Sequence, residues 1–156
     1  MANTTFQGPV RSENGFKTIV KSASTGALTN EMTFSEYTAT ITVADGATTG
    51  KEAAIGMPAN FIPMAVMINV TTAATNAVNL QDIGDDGDTD SYLDGASIAV
   101  NSTGFKGIFG CNGVRGIGTG TTGATGTADE VEVVVSGDPG ASGVTMRITF
   151  LGILGA

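Results

Sequence analysis

The sequence predicts an all-β protein: an antiparallel β-sandwich or jelly-roll-like body with an extended N-terminal arm. Three observations predict it. Apolar and polar residues alternate with period two in several stretches, the mark of strands with one buried face. Gly, Asn-Gly, Asp-Gly and Pro-Gly signals separate those stretches at short intervals. The composition disfavours helix: there are 23 glycines and 14% charged residues, against roughly 25% in an ordinary globular domain. What remains is rich in Gly, Thr, Ser, Asn and Ala and poor in Lys and Glu, the residues that build helices. A hydrophobic share of 41% is enough for a core, and it argues against disorder, which needs low hydrophobicity with high net charge. The length of 156 residues suits one domain, typical domains being roughly 100–200 residues.

Residues 1–30 are read as the arm and 31–156 as a single β-sandwich domain. The arm has no sustained periodicity. Gly8-Pro9 and Asn14-Gly15 are turn dipeptides, Phe16 to Lys21 is a short strand candidate, and Phe6, Val10 and Phe16 are isolated apolar anchors. From Met32 the pattern is period two: Tyr37, Ala39, Ile41 and Val43 alternate with Thr38, Thr40 and Thr42, and Asp45-Gly46 ends the strand. Glu52 to Met57 is a shorter candidate. Ile62, Met64, Val66, Ile68 and Val70 then alternate, with Ala65 and Met67 on the opposite face, so this strand is expected to be covered on both sides. Val78 to Ile83 is the next candidate, followed by an acidic loop from Gly84 to Asp90. Weaker strand signals run from Tyr92 to Val100 and from Phe105 to Phe109. Residues 116–127, almost wholly Gly, Thr and Ala, are expected to form a mobile loop. Val131, Val133 and Val135 form one closing strand, and Val144, Met146, Ile148 and Phe150 another. Asp138-Pro139-Gly140 and Gly143 lie between them and predict a hairpin.

Charge narrows the partners. The net charge is −8 and the isoelectric point about 4.2. Nucleic acid and anionic membrane surfaces both require dense Lys and Arg, so neither is expected. Residues 1–21 hold Arg11, Lys17 and Lys21 against Glu13, a net +2; the remainder holds four basic and fourteen acidic residues, a net −10. A basic arm on an acidic body predicts that the two meet different surfaces. The single cysteine, Cys111, excludes an intramolecular disulfide and reads as an inert thiol. No signal peptide is visible, and the apolar stretch from Phe61 to Val70 is too short to span a bilayer.

The chain has no histidine, which removes Ser-His-Asp and Cys-His nucleophiles and the usual zinc sites. No acid except Glu36 stands in an apolar context, and a solvated strand face accounts for Glu36. An enzyme is therefore not expected, and neither is a cofactor. Gly118, Gly120 and Gly123 fit G-x-G-x-x-G but lack the strand and helix that a dinucleotide site needs. Asp86, Asp88, Asp90 and Asp94 occupy positions 1, 3, 5 and 9 of a calcium-loop pattern. Ser91 and Ser97 replace its glycine and its bidentate glutamate, so a solvated acidic turn is the simpler account. The arm residues Phe6, Val10, Arg11, Phe16, Lys17 and Lys21 read as docking anchors in a segment that cannot fold alone.

The opening Ala2-Asn-Thr-Thr-Phe-Gln-Gly-Pro-Val-Arg-Ser-Glu-Asn-Gly-Phe-Lys17 resembles the start of small virion proteins of tailed bacteriophages. Met57 to Pro63, Val66 to Thr72 and the Asp-rich stretch to Gly95 are similar to the same group, and together these cover about half of the chain. Neither motif is chemically specific. The resemblance is to capsid decoration, or cement, proteins. It implies a homotrimer on the virion surface, made in the host cytoplasm, whose arm clamps the major capsid protein. Two alternatives stand beside it. A tail or fibre module binding a host surface glycan would need aromatic platforms, and this chain has no Trp and two Tyr. A β-sandwich hydrolase would need two converging carboxylates.

Overall fold

The computed structural model describes residues 17–21, 24–25, 28–52, 61–85, 88–112 and 130–154. Among them there is no helix. Ten strands follow in order: β1 (Lys17–Lys21), β2 (Leu28–Val43), β3 (Thr49–Lys51), β4 (Phe61–Thr72), β5 (Asn79–Asp85), β6 (Asp88–Leu93), β7 (Ile98–Ala99), β8 (Gly104–Gly110), β9 (Val131–Val135) and β10 (Val144–Leu154). They make two antiparallel sheets, one ordered β1-β2-β10-β4-β8 and the other β3-β9-β5-β6, with β7 pairing β5. This is the expected all-β sandwich. The stretch 116–127 and the glycines Gly118, Gly120 and Gly123 lie outside the described residues.

The core forms where the alternating faces of the two sheets meet. Ala39, Ile41 and Val43 of β2, Val66, Ile68 and Val70 of β4, and Val144, Met146, Ile148 and Phe150 of β10 are buried from one side. Leu80 and Ile83 of β5 and Val131, Val133 and Val135 of β9 close it from the other. Tyr92 meets Phe150 edge-on, with ring centroids 5.2 Å apart and planes at 70°, a pairing worth about 0.5–1.5 kcal/mol beyond its burial. β1 pairs with the first part of β2, Lys17 opposite Thr33 and Val20 opposite Asn30. The sheet thus includes part of the stretch read as arm.

Two expectations fail on pairing. The predicted hairpin of the last two strands does not form: β9 lies between β3 and β5 in one sheet and β10 pairs with β2 and β4 in the other. The segment between them is a corner from one sheet to the other. Asp138 Oδ1 accepts the Gly46 N–H at 2.9 Å and the Gly140 N–H at 2.8 Å, and Pro139 O accepts the N–H groups of Thr75 and Asn76 at 2.8 and 3.1 Å. The corner is thereby tied to the β2–β3 and β4–β5 connections, so its turn residues fasten one end of the sandwich.

The second failure is within β4. Phe61 and Pro63 face the core, then the phase shifts and Val66, Ile68 and Val70 do, leaving Ile62 and Met64 off that face. The register with β10 slips between Leu151 and Gly152, which pair with Ala65 and Pro63. An extra residue in one strand reverses the side of everything beyond it. The bulge also accommodates a proline inside a central strand, where a ladder donor is missing. Gly152 is required there: a Cβ would lie 2.2 Å from the backbone oxygen of Ile62 and 2.8 Å from the Phe61 ring.

Candidate functional site: the outer face of the five-stranded sheet

The threonine-rich alternation of β2 places Thr38, Thr40 and Thr42 away from the core, and β10 answers with Thr145, Arg147 and Thr149 in register. Thr38 and Thr149 hydroxyls are 2.9 Å apart and those of Thr42 and Thr145 3.0 Å apart, cross-strand pairs of the kind that stabilise sheets. Along the same outer face the chemistry then turns apolar. Phe34 pairs with Ile153, which pairs with Ile62; Leu151 pairs with Ala65; Met67 pairs with Ile108, and Asn69 with Phe105. An apolar band therefore crosses the sheet diagonally from β2 to the edge strand β8. Phe34, Met64, Phe105 and Ile108, all in this sheet, are 55, 53, 63 and 59% exposed.

A depression of about 340 Å³ is set in this face, lined by Glu36, Thr38, Met67, Asn69, Phe105, Arg147 and Thr149. It has one carboxylate, one guanidinium and one aromatic ring. Glycoside hydrolysis needs two carboxylates across a cleft, and a sugar platform is here limited to Phe105. Glu36 is exposed, as expected for a solvated strand face.

The buried acids lie elsewhere, where the sequence did not indicate them. Glu52, Asp85 and Glu132 are all buried. The Tyr37 hydroxyl donates to Glu52 Oε2. Burial first, and this bond second, raise the Tyr37 phenol far above its usual range, so it remains a donor. Glu52 N–H donates to Val131 O at 2.9 Å, and Glu52 bridges Ile41, so the pair links the two sheets. Ser91 Oγ donates to Asp85 at 3.4 Å, and Lys51 Nζ stands 3.7 Å from Glu132. Each acid has its own partner.

Of the acidic quartet, Asp86 lies outside the described residues. Asp88 and Asp90 are on β6 and Asp94 follows its end. A hydrogen bond with Asp88 and then its charge raise the Asp90 carboxyl above its ordinary value. Among the described residues no cluster of three acids, cysteines or histidines is spaced to hold a metal. Burial pushes the half-buried Cys111 thiol up to about 11, consistent with an inert thiol. Of the arm anchors, Phe6, Val10, Arg11 and Phe16 lie outside the described residues, while Lys17 and Lys21 bound β1.

The outer-face cluster was only partly anticipated. The opposite-phase apolar pair Ala65 and Met67 pointed to it, and the same phase continues at Leu151 and Ile153. Phe34, Phe105, Ile108 and Arg147 were missed because their adjacency depends on strand order.

The fold and face define a two-sheet β-sandwich with an unpaired apolar surface. No family model matches the chain, and no curated protein matches it. Among solved structures it is similar in fold to a chain from the cyanophage Pam1 capsid asymmetric unit, with a TM-score of 0.50 and 16% identity over 86% of this chain and 94% of that one.

Proposed function

We propose that the chain is a non-enzymatic structural protein of a phage particle, binding the outside of an assembled capsid and stabilising the lattice as a decoration or cement protein. The observation that carries this reading is the apolar, nearly uncharged sheet face on an otherwise acidic body. Contiguous exposed apolar surface of this kind marks protein contacts. The fold likeness to a chain of a cyanophage capsid asymmetric unit supports the kind of particle. The partners are the major capsid protein and further copies of the chain, as a homotrimer. The protein is made in the host cytoplasm and resides on the capsid surface.

A ligand that binds only the assembled lattice stabilises it by linkage. Residues 1–21 supply the attachment, with Phe6, Val10 and Phe16 as apolar anchors and Arg11, Lys17 and Lys21 meeting acidic groups. Ordering an arm costs roughly 1–2 kcal/mol per residue, and one buried Phe returns about 1.5–3 kcal/mol. Strand addition to a sheet edge supplies the main-chain bonds that make up the difference. Deleting residues 2–16, which leaves β1 intact, is expected to give a folded protein that no longer binds particles. Equal decoration by the truncated and intact chains would refute attachment through the arm. Labelling confined to tails would favour the glycan-binding alternative.

A further inference from the structure

We infer that the outer face of the five-stranded sheet is where copies of this chain bind one another, with Glu36 of one copy meeting Arg147 of the next. The inference rests on the reading of the chain as part of an assembly. It adds the surface and the pairing that hold the copies together.

Charge selects the occupant. Residues 22–156 carry a net −10, so two copies repel over most of their surface. Over residues 34–43, 144–153 and β4, Glu36 and Arg147 are the only charged side chains. With Lys106 on the bordering strand β8 the face still carries little charge, and two copies approach here with less repulsion than elsewhere. Both side chains are exposed, and among the described residues neither has an ion-pair partner. They do not pair with each other within one chain. Arg147 stands opposite Thr40 and Glu36 opposite Leu151, four residues further along the ladder and so roughly 13 Å away. A partner that covers this face and replaces the water on both charges presents an acid and a base at matching spacing on an apolar ground. The chain itself presents that pattern.

The copies meet through side chains of this face, Glu36 of each against Arg147 of the next, and not by strand addition. The edge strand β8 is a poor template for an added strand: it carries Lys106, has Gly104 at φ 108° and Gly107 at φ 146°, and its register with β4 slips between Ile68 and Asn69. Its two large apolar side chains, Phe105 and Ile108, extend the face instead. The depression between Glu36 and Arg147 gives the neighbour's side chains a place to enter.

The test is a charge swap on the full chain, read by sedimentation over a range of concentrations without particles. Wild type is expected to self-associate. Glu36→Arg and Arg147→Glu should each weaken association by roughly tenfold or more, because like charges then face each other. The double variant Glu36→Arg/Arg147→Glu should restore it, since the pairing is reversed on every copy. Ile108→Asp should abolish association with the circular dichroism of the fold unchanged, its side chain being exposed. A wild type that stays monomeric at every concentration overturns the inference. So do single swaps without effect, or a double swap that fails to restore. Loss of particle binding by Glu36→Arg in a chain that is monomeric throughout would assign the face to the shell and likewise overturn it. The arm deletion is read on particles and these variants in solution, so either reading can fail alone.

Discussion

β10 and β9 are both apolar toward the core, yet their sheets face outward differently. The β1-β2-β10-β4-β8 sheet carries Lys17, Lys21, Lys106 and Arg147 against Glu31 and Glu36. The β3-β9-β5-β6 sheet, which β7 joins through β5, carries Lys51 against Asp82, Asp85, Asp88, Asp90 and Glu132. Apart from the buried Asp85 and Glu132, the acids of this sheet, Asp82, Asp88 and Asp90, are at least partly exposed, whereas the other sheet has more basic than acidic residues. A net charge of −8 spread evenly would have obstructed any docking face.

The comparison breaks most severely where the sheets share their core. Phe150 is fully buried on β10 and meets Tyr92 of the opposite sheet. Phe150→Ala is expected to cost about 3–5 kcal/mol. Urea unfolding should show it, and a loss below about 1 kcal/mol would mean that the sheets do not pack as one core. The next effect is at the polar link between them. Tyr37→Phe removes the donor to buried Glu52 and is expected to destabilise by about 1–3 kcal/mol. Combining it with Glu52→Gln, which removes the stranded charge, should recover part of that loss. No recovery would show that packing, and not the hydrogen bond, was lost.

How much of this was legible follows from the range of each signal. β2, β9 and β10 were readable because alternation is local and their buried faces follow it without interruption from Tyr37, Val131 and Val144. β4 was readable as a strand but not in phase, since the bulge near Met64 answers to its pairing with Gly152. The corner at Asp138-Pro139-Gly140 was misread because the same turn residues serve a hairpin and a crossing; only distant partners decide. The outer face was half legible. Ala65 and Met67 lie within one strand, whereas Glu36, Arg147 and Phe105 come together through an order, β2-β10-β4-β8, that no local pattern encodes.

A smaller effect sharpens the charge contrast. Asp88 raises the Asp90 carboxyl, so the folded state holds a proton there more firmly than the unfolded chain does. A raised carboxyl favours the fold at low pH, and that advantage is lost as pH rises through the folded value. Asp88→Asn should therefore raise the melting temperature at neutral pH, with the gain shrinking as pH falls. A gain independent of pH would point away from carboxylate crowding. The same variant gives the metal question its measurement: calcium calorimetry without heat in either protein would establish the solvated turn.

The smallest effect concerns the tied end of the sandwich, and its sign is opposite. Asp138 accepts the backbone N–H groups of Gly140 and Gly46, and these bonds hold its carboxyl below the ordinary value, Gly140 contributing most. A depressed carboxyl stabilises the fold above its unfolded value of about 3.9 and loses that contribution as pH falls through the folded one. The side chain is exposed, so solvent screening keeps the effect modest. Asp138→Ala should lower the melting temperature by a constant amount above about pH 5, and the gap to wild type should narrow below about pH 4. Asp138→Asn keeps an oxygen acceptor without the charge and should fall between the two. The corner joins β9 of the acidic sheet to β10 of the other, so its loosening should be felt at both. Hydrogen exchange at Gly46, Thr75 and Asn76 should quicken together in Asp138→Ala. Quickening at Gly46 alone would mean that the Pro139 carbonyl holds its side of the corner without help from Asp138.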